Sequence, residues 1–568
     1  MAAGSVVKES EERNGRALPS HVRVAVVGSG FGGLGAAVRL RRAGVSDFVI
    51  LERREAIGGT WHDNTYPGCA CDIPSHLYSF SFAPNPHWPR SYAPQNEIRE
   101  YLEGVTDTFG LRQHLHLRTE VQQMMWDAEE LHWRVETSRG SLTADVVVSA
   151  TGPLSAPKTP DIPGLDTFEG KVVHSATWDH DYDLRGKRVA VIGTGASAIQ
   201  IVPAIQPVVD RLTVFQRTPA WVIPRGDRRI TGFERRLHSK LPSTQKLRRF
   251  ALWGALEMGT QVYANHPKLL AGLEKLATAH MKRAVKDPEL RRKLTPDYRI
   301  GCKRTLVSDD YYPALAQPNT DLVDSGLKEI RGNTLVAADG REVEVDAIVF
   351  CSGFYVSDMP VAEYVKGTDG ETLAESWAED GMNALRGTAT TGFPNFLFVI
   401  GPNTGLGSSS MILIIEAQLN YIVDYVRKLD TLGGGAPGDK VALDVRPIAQ
   451  HRYNTRLRER IKGSVWQTGC TSWYLDAEGR PVAVWPGTTG EFRKITREVW
   501  LEEYEVLRAA PRNGQGPSGR RRKAPLLAGS TSRATATATA ASTATTSTST
   551  STSTSAVQAA DAPEGNDR

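Results

Sequence analysis

The chain has 568 residues, and its 68 Lys and Arg against 64 Asp and Glu leave a formal net charge of +4. Over this length so slight an excess gives no reason to expect nucleic acid or an anionic membrane as a partner, and there is room for several domain-sized units. Five cysteines, two of them in Cys69-Ala70-Cys71, are too few and too scattered for a disulfide framework or a metal site with paired ligands.

Residues 1–20 mix charges with small residues, lack the apolar core of a signal peptide, and are expected to be a disordered lead-in. Val22 to Val27 is a short apolar run ending in Gly28-Ser29-Gly30-Phe31-Gly32-Gly33, the pattern of a buried parallel strand entering a tight turn. Gly28 makes the turn, Gly30 lets a pyrophosphate approach the backbone, and Gly33 lets the following helix pack on its strand. Leu34, Ala37, Leu40 and Ala43 share one face of that helix, whose N-terminus offers an anion site. A second apolar run, Phe48–Leu51, delivers Glu52 24 residues after Gly28, where an acid holds a ribose hydroxyl. Gly58 to Asp72 is rich in glycine and proline and carries Trp61 and Tyr66. It reads as a loop around a planar ligand or as an ordinary surface loop with a buried Trp. Strand-like patches at 120–126, 132–136 and 144–149 lead to Ala150-Thr151-Gly152, which closes this first unit.

The chain then repeats itself. Lys187 to Ala198 holds a second apolar run and the glycines Gly193 and Gly195, with Ala198 where the third glycine would stand. The next strand, Leu212–Phe215, ends not in an acid but in Gln216-Arg217-Thr218. An acid there would repel a 2′-phosphate, whereas Arg217 grips it, so this site is expected to take NADPH and the first FAD.

Residues 229–299 place Leu247, Phe250 and Ala251, then Leu269, Leu273 and Leu276, at helical spacing with Arg and Lys between them. A helical insertion covering the active site is expected, its basic residues forming a solvated face. Gly301-Cys302-Lys303-Arg304 follows. Asp346–Cys351 is a strand running into Ser352-Gly353, and Phe396–Gly401 with a helix over 411–429 completes the first unit. From about Gly514 the composition collapses to a basic cluster and Ser/Thr/Ala repeats that cannot bury enough apolar surface to fold.

The expected architecture is α/β, with two Rossmann-like dinucleotide-binding domains, a helical insertion and disordered tails. The FAD domain takes residues 21–152 and 385–512. The NADPH domain takes 153–228 and 300–384, with the insertion at 229–299 and the tails at 1–20 and 513–568. No apolar run is long enough to span a membrane, and a cytoplasmic location is expected.

Between the two glycine loops stand Phe168, Gly170, His174, Trp178 and Asp179 at the spacing F-x-G-x-x-x-H-x-x-x-W-D. This resembles the fingerprint of type I Baeyer–Villiger monooxygenases, and the stretch from Gly58 to Asp72 is similar to a second pattern of that family. The resemblance covers about residues 20–510. It implies FAD, NADPH, O2 and a small-molecule ketone, with one oxygen atom inserted beside the carbonyl through a flavin peroxide. It further implies that Arg304 is the catalytic arginine and Asp72 the carboxylate that holds it. Lys303 would join Arg217 and Thr218 around the 2′-phosphate, and Thr60, Trp61, Asp72, Tyr78 and Val121 would line the flavin. Trp473 would face the active site or cofactor, Met411 the substrate, and His174 would be a structural residue between domains. The alternatives are oxygenation of sulfur or nitrogen, and an NADPH–flavin reductase. Two departures from the pattern, Ser352 for a threonine and Ala198 for a glycine, leave this intact.

Overall fold

The computed structural model describes residues 16–433, 440–470 and 472–509; the expected C-terminal tail and the first 15 residues of the expected lead-in lie outside them. Residues 16–20, placed with the lead-in from sequence, are tied to the protein: Arg16 Nη1 donates to the carbonyl of Gln113 at 2.7 Å, and Leu18 packs against the core.

β1 (His21–Val27) is buried from Val24 to Val26 because apolar layers cover both faces of its sheet, one taking Val24 and Val26 and the other Ala25 and Val27. It runs parallel to β2 (Phe48–Leu51), with Val24 opposite Phe48, and parallel to the long strand Gly140–Ser149, with Val24 opposite Val146. That enclosure is why both runs read as continuous apolar stretches rather than alternating ones. The eight-stranded sheet continues through β3 (Leu115–His116) beyond β2. On the other side an antiparallel meander of β4 (Val121–Asp127), β5 (His132–Thr137) and β6 (Gly140–Ser149) adds the remaining face. The returning strand Phe396–Phe398 pairs with β6, so residues far apart in sequence complete one sheet. α1 (Phe31–Arg42), buried from Phe31 to Val38, lies against α2 (Met411–Leu432), which carries the second layer.

The second sheet is wholly parallel. Its order is Thr320–Val323, Arg211–Phe215, Arg188–Ile192, Ala347–Phe350, Lys171–His174. The two sheets are thus the two expected nucleotide-binding halves.

The insertion contains the helices Gly232–Lys240, Pro242–Asn265 and Leu270–Ala284. Their spacing was readable, but the side they bury was not. Leu247 and Phe250, expected to face inward, are 68% and 63% exposed, and Leu269 and Leu276 also point to water. The inward side of Pro242–Asn265 sets Leu252, Trp253, Leu256 and Tyr263 against the core and carries polar groups between them. Arg249 Nη1 donates to the carbonyls of His76 (3.0 Å), Leu77 (3.2 Å) and Ser79 (2.8 Å). Gln245 Nε2 donates to Asn85 O at 2.7 Å, and the buried Glu257 carboxylate accepts from Thr489 N at 3.0 Å. Buried polar groups are tolerated where they find such partners.

His76 lies under this helix, 7% exposed, with its ring edge-on to His238 at 5.0 Å, and burial pushes its pKa down from 6.5 to about 4. The unfolded chain therefore binds the proton more readily than the folded one between those values. Stability is present above pH 6.5 and is lost as pH falls toward 4. Chemical denaturation at pH 7 and pH 5 should show a loss of about 2 kcal/mol from this group, absent in His76→Asn. An equal loss in the variant would assign the acid sensitivity elsewhere.

Candidate active site

The first glycine loop is a cradle that side chains would fill. Gly28 has φ +102°, and a Cβ there would stand 2.6 Å from the carbonyl oxygen of Ala150. A Cβ on Gly33 would stand 1.8 Å from the oxygen of Gly28, so α1 rests directly on its own strand. Gly30 begins α1 with no side-chain cap, leaving the first helical N–H groups for a ligand. Glu52 is buried, and its Oε2 accepts from Ser29 N at 2.9 Å and Ser29 Oγ at 2.7 Å. It thereby locks the turn at the place where a ribose would come. Thr60 opens a helical turn (Thr60–Asp63), and Trp61 Nε1 donates to the hydroxyl of Tyr78 at 3.1 Å. Val121, at the start of β4, is buried in the apolar layer that also holds Val27 and Leu51.

The second loop repeats the geometry. Gly193 has φ +113°, and its Cβ would lie 2.8 Å from the oxygen of Cys351. Gly195 faces open space, and Ala198 is fully buried at the start of the helix Ala198–Ile205. Thr194 Oγ1 donates to the carbonyl of Thr218 at 3.0 Å. Arg217 is exposed and Lys303 half-buried, its Nζ 5.0 Å above the ring of Tyr298. Burial, and then the charge of Arg217, holds the Lys303 pKa below the ordinary lysine value. Two cations that repel each other in this way form a receptive place for a phosphate.

Arg304 and Asp72, 232 residues apart, meet between the two units. Arg304 donates from Nε (3.0 Å) and Nη2 (2.6 Å), both to Oδ2 of Asp72. About a quarter of each side chain is exposed, so the pair is reachable from solvent yet largely desolvated. The Asp72 charge raises the Arg304 pKa further above its already high value, so the guanidinium stays charged.

Three residues of this site were not picked out from the sequence. Tyr474 is fully buried beside Arg304, and burial pushes its pKa up to about 12 while the charge of Arg304 pulls the other way. Gln200 reaches from the second unit into the first, accepting from Tyr66 OH at 3.1 Å and donating to Ala70 O at 3.0 Å. Arg225 Nη2 donates to Cys71 O at 2.9 Å, one residue before Asp72. Of these only Tyr474 had a signal, as the neighbour of Trp473. Trp473 itself is 41% exposed and lies against the Tyr474 ring, 4.5 Å between centroids. Met411 opens α2 half-buried, beside the cluster of Leu406, Ile414 and Trp485.

The fingerprint residues make local contacts of their own. Gly170 is needed because a Cβ would strike both Asp346 O (2.4 Å) and the Phe168 ring (2.5 Å). His174 Nδ1 accepts from Ala176 N at 3.0 Å and caps a short 3-10 turn, while Trp178 packs on the core and Asp179 pairs with Lys171. Burial lowers the His174 pKa, so the ring is neutral.

The scattered cysteines do yield one disulfide. Cys302 and Cys470, 168 residues apart, bond with Cα atoms 6.2 Å from each other. The bond joins the segment bearing Lys303 and Arg304 to the one bearing Trp473 and Tyr474. Cys69 and Cys71 are free and buried, and among the described residues no His/Cys/Asp/Glu cluster could hold a metal.

Two dinucleotide cradles with a fixed cation between them define a flavin- and pyridine-nucleotide-dependent oxidoreductase. In agreement, the model of the pyridine nucleotide-disulphide oxidoreductase family matches residues 25–230. A Baeyer-Villiger monooxygenase of Streptomyces coelicolor is 68% identical over 492 residues, covering 86% of this chain and 94% of that one. The structure of cyclohexanone monooxygenase from Rhodococcus sp. Phi1 bound to NADP+ superposes with a TM-score of 0.75 at 29% identity, over 86% of this chain and 99% of that one. The structure of OTEMO in complex with FAD and NADP superposes with a TM-score of 0.75 at 25% identity, over 85% and 99%. The chain belongs to the Baeyer–Villiger monooxygenase family.

Peptide mass spectrometry without reduction should recover Cys302 linked to Cys470. Cys470→Ser should lower unfolding free energy by about 2–4 kcal/mol, as loss of a long loop closure does. A variant as stable as the parent would show that the crosslink restrains nothing.

Proposed function

We propose that the protein inserts one oxygen atom of O2 beside the carbonyl of a small ketone, giving an ester or lactone, with Arg304 and Asp72 as its catalytic pair. The observation that carries this reading is the Arg304–Asp72 ion pair, made by residues from the two nucleotide-binding units at their junction. FAD held at Gly28, Gly30, Gly33 and Glu52, and reduced by NADPH held at Gly193, Gly195, Arg217, Thr218 and Lys303, would supply the redox chemistry. A cytoplasmic setting, where NADPH is made, belongs to the same reading.

The chain's own part is electrostatic. Attack on a ketone carbonyl builds negative charge on oxygen, and a fixed donor in a partly water-free site stabilises that charge without reorganising. Arg304 provides it, since its charge does not depend on pH in the working range. Asp72 spends Nε and Nη2 on one oxygen and so fixes the plane of the guanidinium, leaving Nη1 for the reacting oxygen. Asp72 also neutralises a charge that would be costly to hold alone in a desolvated place. Tyr474 adds a buried hydroxyl beside Arg304 that is un-ionised near neutral pH.

Arg304→Ala should leave NADPH-driven flavin reduction within a few-fold of the parent while ester formation falls about 10²–10³-fold, the loss typical of one such donor. Stopped-flow absorbance and product analysis separate the two. Unchanged ester formation in the variant would overturn the assignment, and in the parent protein, reduced flavin that returns to the oxidised form with only hydrogen peroxide released would favour the reductase. Arg217→Ala should raise KM for NADPH about ten-fold or more and leave KM for NADH nearly unchanged. Equal effects on both coenzymes would remove Arg217 from the 2′-phosphate site.

A further inference from the structure

The large apolar side chains most open to water are gathered in the helical insertion. Phe233, Leu241, Leu247, Phe250, Met258 and Leu269 are 54–75% exposed. On the helix Pro242–Asn265, Leu247, Phe250, Ala251 and Met258 recur three, four and seven residues apart and form one outward stripe. The same helix turns Gln245, Arg249, Glu257 and Thr260 toward the protein together with Leu252, Trp253, Leu256 and Tyr263, so the outward stripe is a second apolar face beyond the one the fold uses. A helix bathed only in water gains nothing from a second apolar face, and a concentrated apolar surface marks a place of contact.

Charge identifies the partner. Between Gly232 and Ala284 stand ten Lys and Arg but only three Glu. All three acids are engaged. Glu234 caps its helix and bonds Arg228 at 2.7 Å, Glu257 is buried on Thr489, and Glu274 accepts from Ile300 N at 3.2 Å. Arg236, Lys240, Lys246, Arg248, Lys268 and Lys275 are exposed among the apolar residues, with Lys246 and Arg248 on either side of Leu247. A second copy is disfavoured, because a two-fold interface would press two basic surfaces together. The segment 510–568, with its Arg520-Arg521-Arg522-Lys523 cluster, carries the same sign. Large aliphatic and aromatic side chains interleaved with Lys and Arg on successive helices are what an anionic bilayer takes up. The apolar tips enter the boundary between headgroups and acyl chains, and the cations meet lipid phosphates.

We propose that the insertion docks the protein reversibly on the surface of an anionic lipid bilayer. None of these residues belongs to the nucleotide cradles or the arginine pair, so the docking stands independently of the proposed reaction.

Full-length, FAD-loaded protein should co-sediment with sucrose-loaded vesicles of phosphatidylcholine mixed with phosphatidylglycerol. Binding should fall about ten-fold with phosphatidylcholine alone or in high salt. The combined change Leu247→Gln, Phe250→Gln and Met258→Gln should cost about ten-fold in partitioning. Lys246→Glu with Arg248→Glu, which alters only exposed charges, should do the same even if the first variant folds poorly. Bound-flavin absorbance reports the fold, and NADPH consumption with ketone in vesicle-free buffer should stay at the parent level. The proposal fails if the parent ignores anionic vesicles, or if both variants bind them as the parent does. It fails equally if the apolar stripe proves to join two copies, seen as a dimer in sedimentation velocity that the first variant dissociates and that ignores vesicles.

Discussion

One guanidinium held against one carboxylate oxygen organises this molecule. Arg304 comes from the segment that follows the helical insertion, and Asp72 from a loop of the FAD unit, and neither has a reason to be half-buried without the other. A lone charge in such a place would be expensive, so removing either partner would strand the other. The neighbours extend the same logic. Gln200 bonds the loop before Asp72, Arg225 bonds Cys71, and Tyr474 and the Cys302–Cys470 disulfide bring the C-terminal segment to the arginine. Each contact crosses a long stretch of sequence. The site exists only where two nucleotide-binding folds are brought together.

The cradles impose a different kind of constraint, which is steric. At Gly28, Gly33 and Gly193 a single added carbon would collide with backbone oxygen, and backbone cannot step aside as a flexible side chain can. The third position of the second loop differs, since Ala198 occupies it at full burial. The helix there starts far enough from its strand to admit a methyl group, and the turn at Gly193 still forms. At both sites the helix N-terminus is left without a side-chain cap, which leaves its N–H groups open to an anion.

The insertion is apolar on two sides of one helix. Leu252, Trp253 and Leu256 of Pro242–Asn265 pack on the core beside polar side chains that bind carbonyls, while Leu247, Phe250 and Met258 face out. Arg249 alone satisfies three carbonyls in the segment 76–79, close in sequence to Asp72 and Tyr78. The insertion is therefore attached by hydrogen bonds as well as by an apolar seam that includes Leu252, Leu256, Tyr263, Leu270 and Met281, and its outward stripe is free for another surface.

Local sequence determined a good deal here. The strand–turn–helix units around Gly28 and Gly193 were legible because glycine is required wherever a Cβ would meet backbone, and such a requirement is written residue by residue. The pairing of Arg304 with Asp72 was legible only through family resemblance, since no local pattern links residues 232 positions apart. What tertiary structure alone decided was direction and company. Trp473 drew attention in the sequence, but the fold turns it outward and buries Tyr474. Leu247 and Phe250 had the spacing of a core face, yet the core takes Leu252, Trp253 and Leu256 of the same helix and leaves the first two to solvent. The net charge of +4 hid a basic insertion, because an average over the chain carries no positions. Five cysteines gave no sign of a crosslink, because a disulfide depends on two Cα atoms coming within reach, and that is a property of the folded chain.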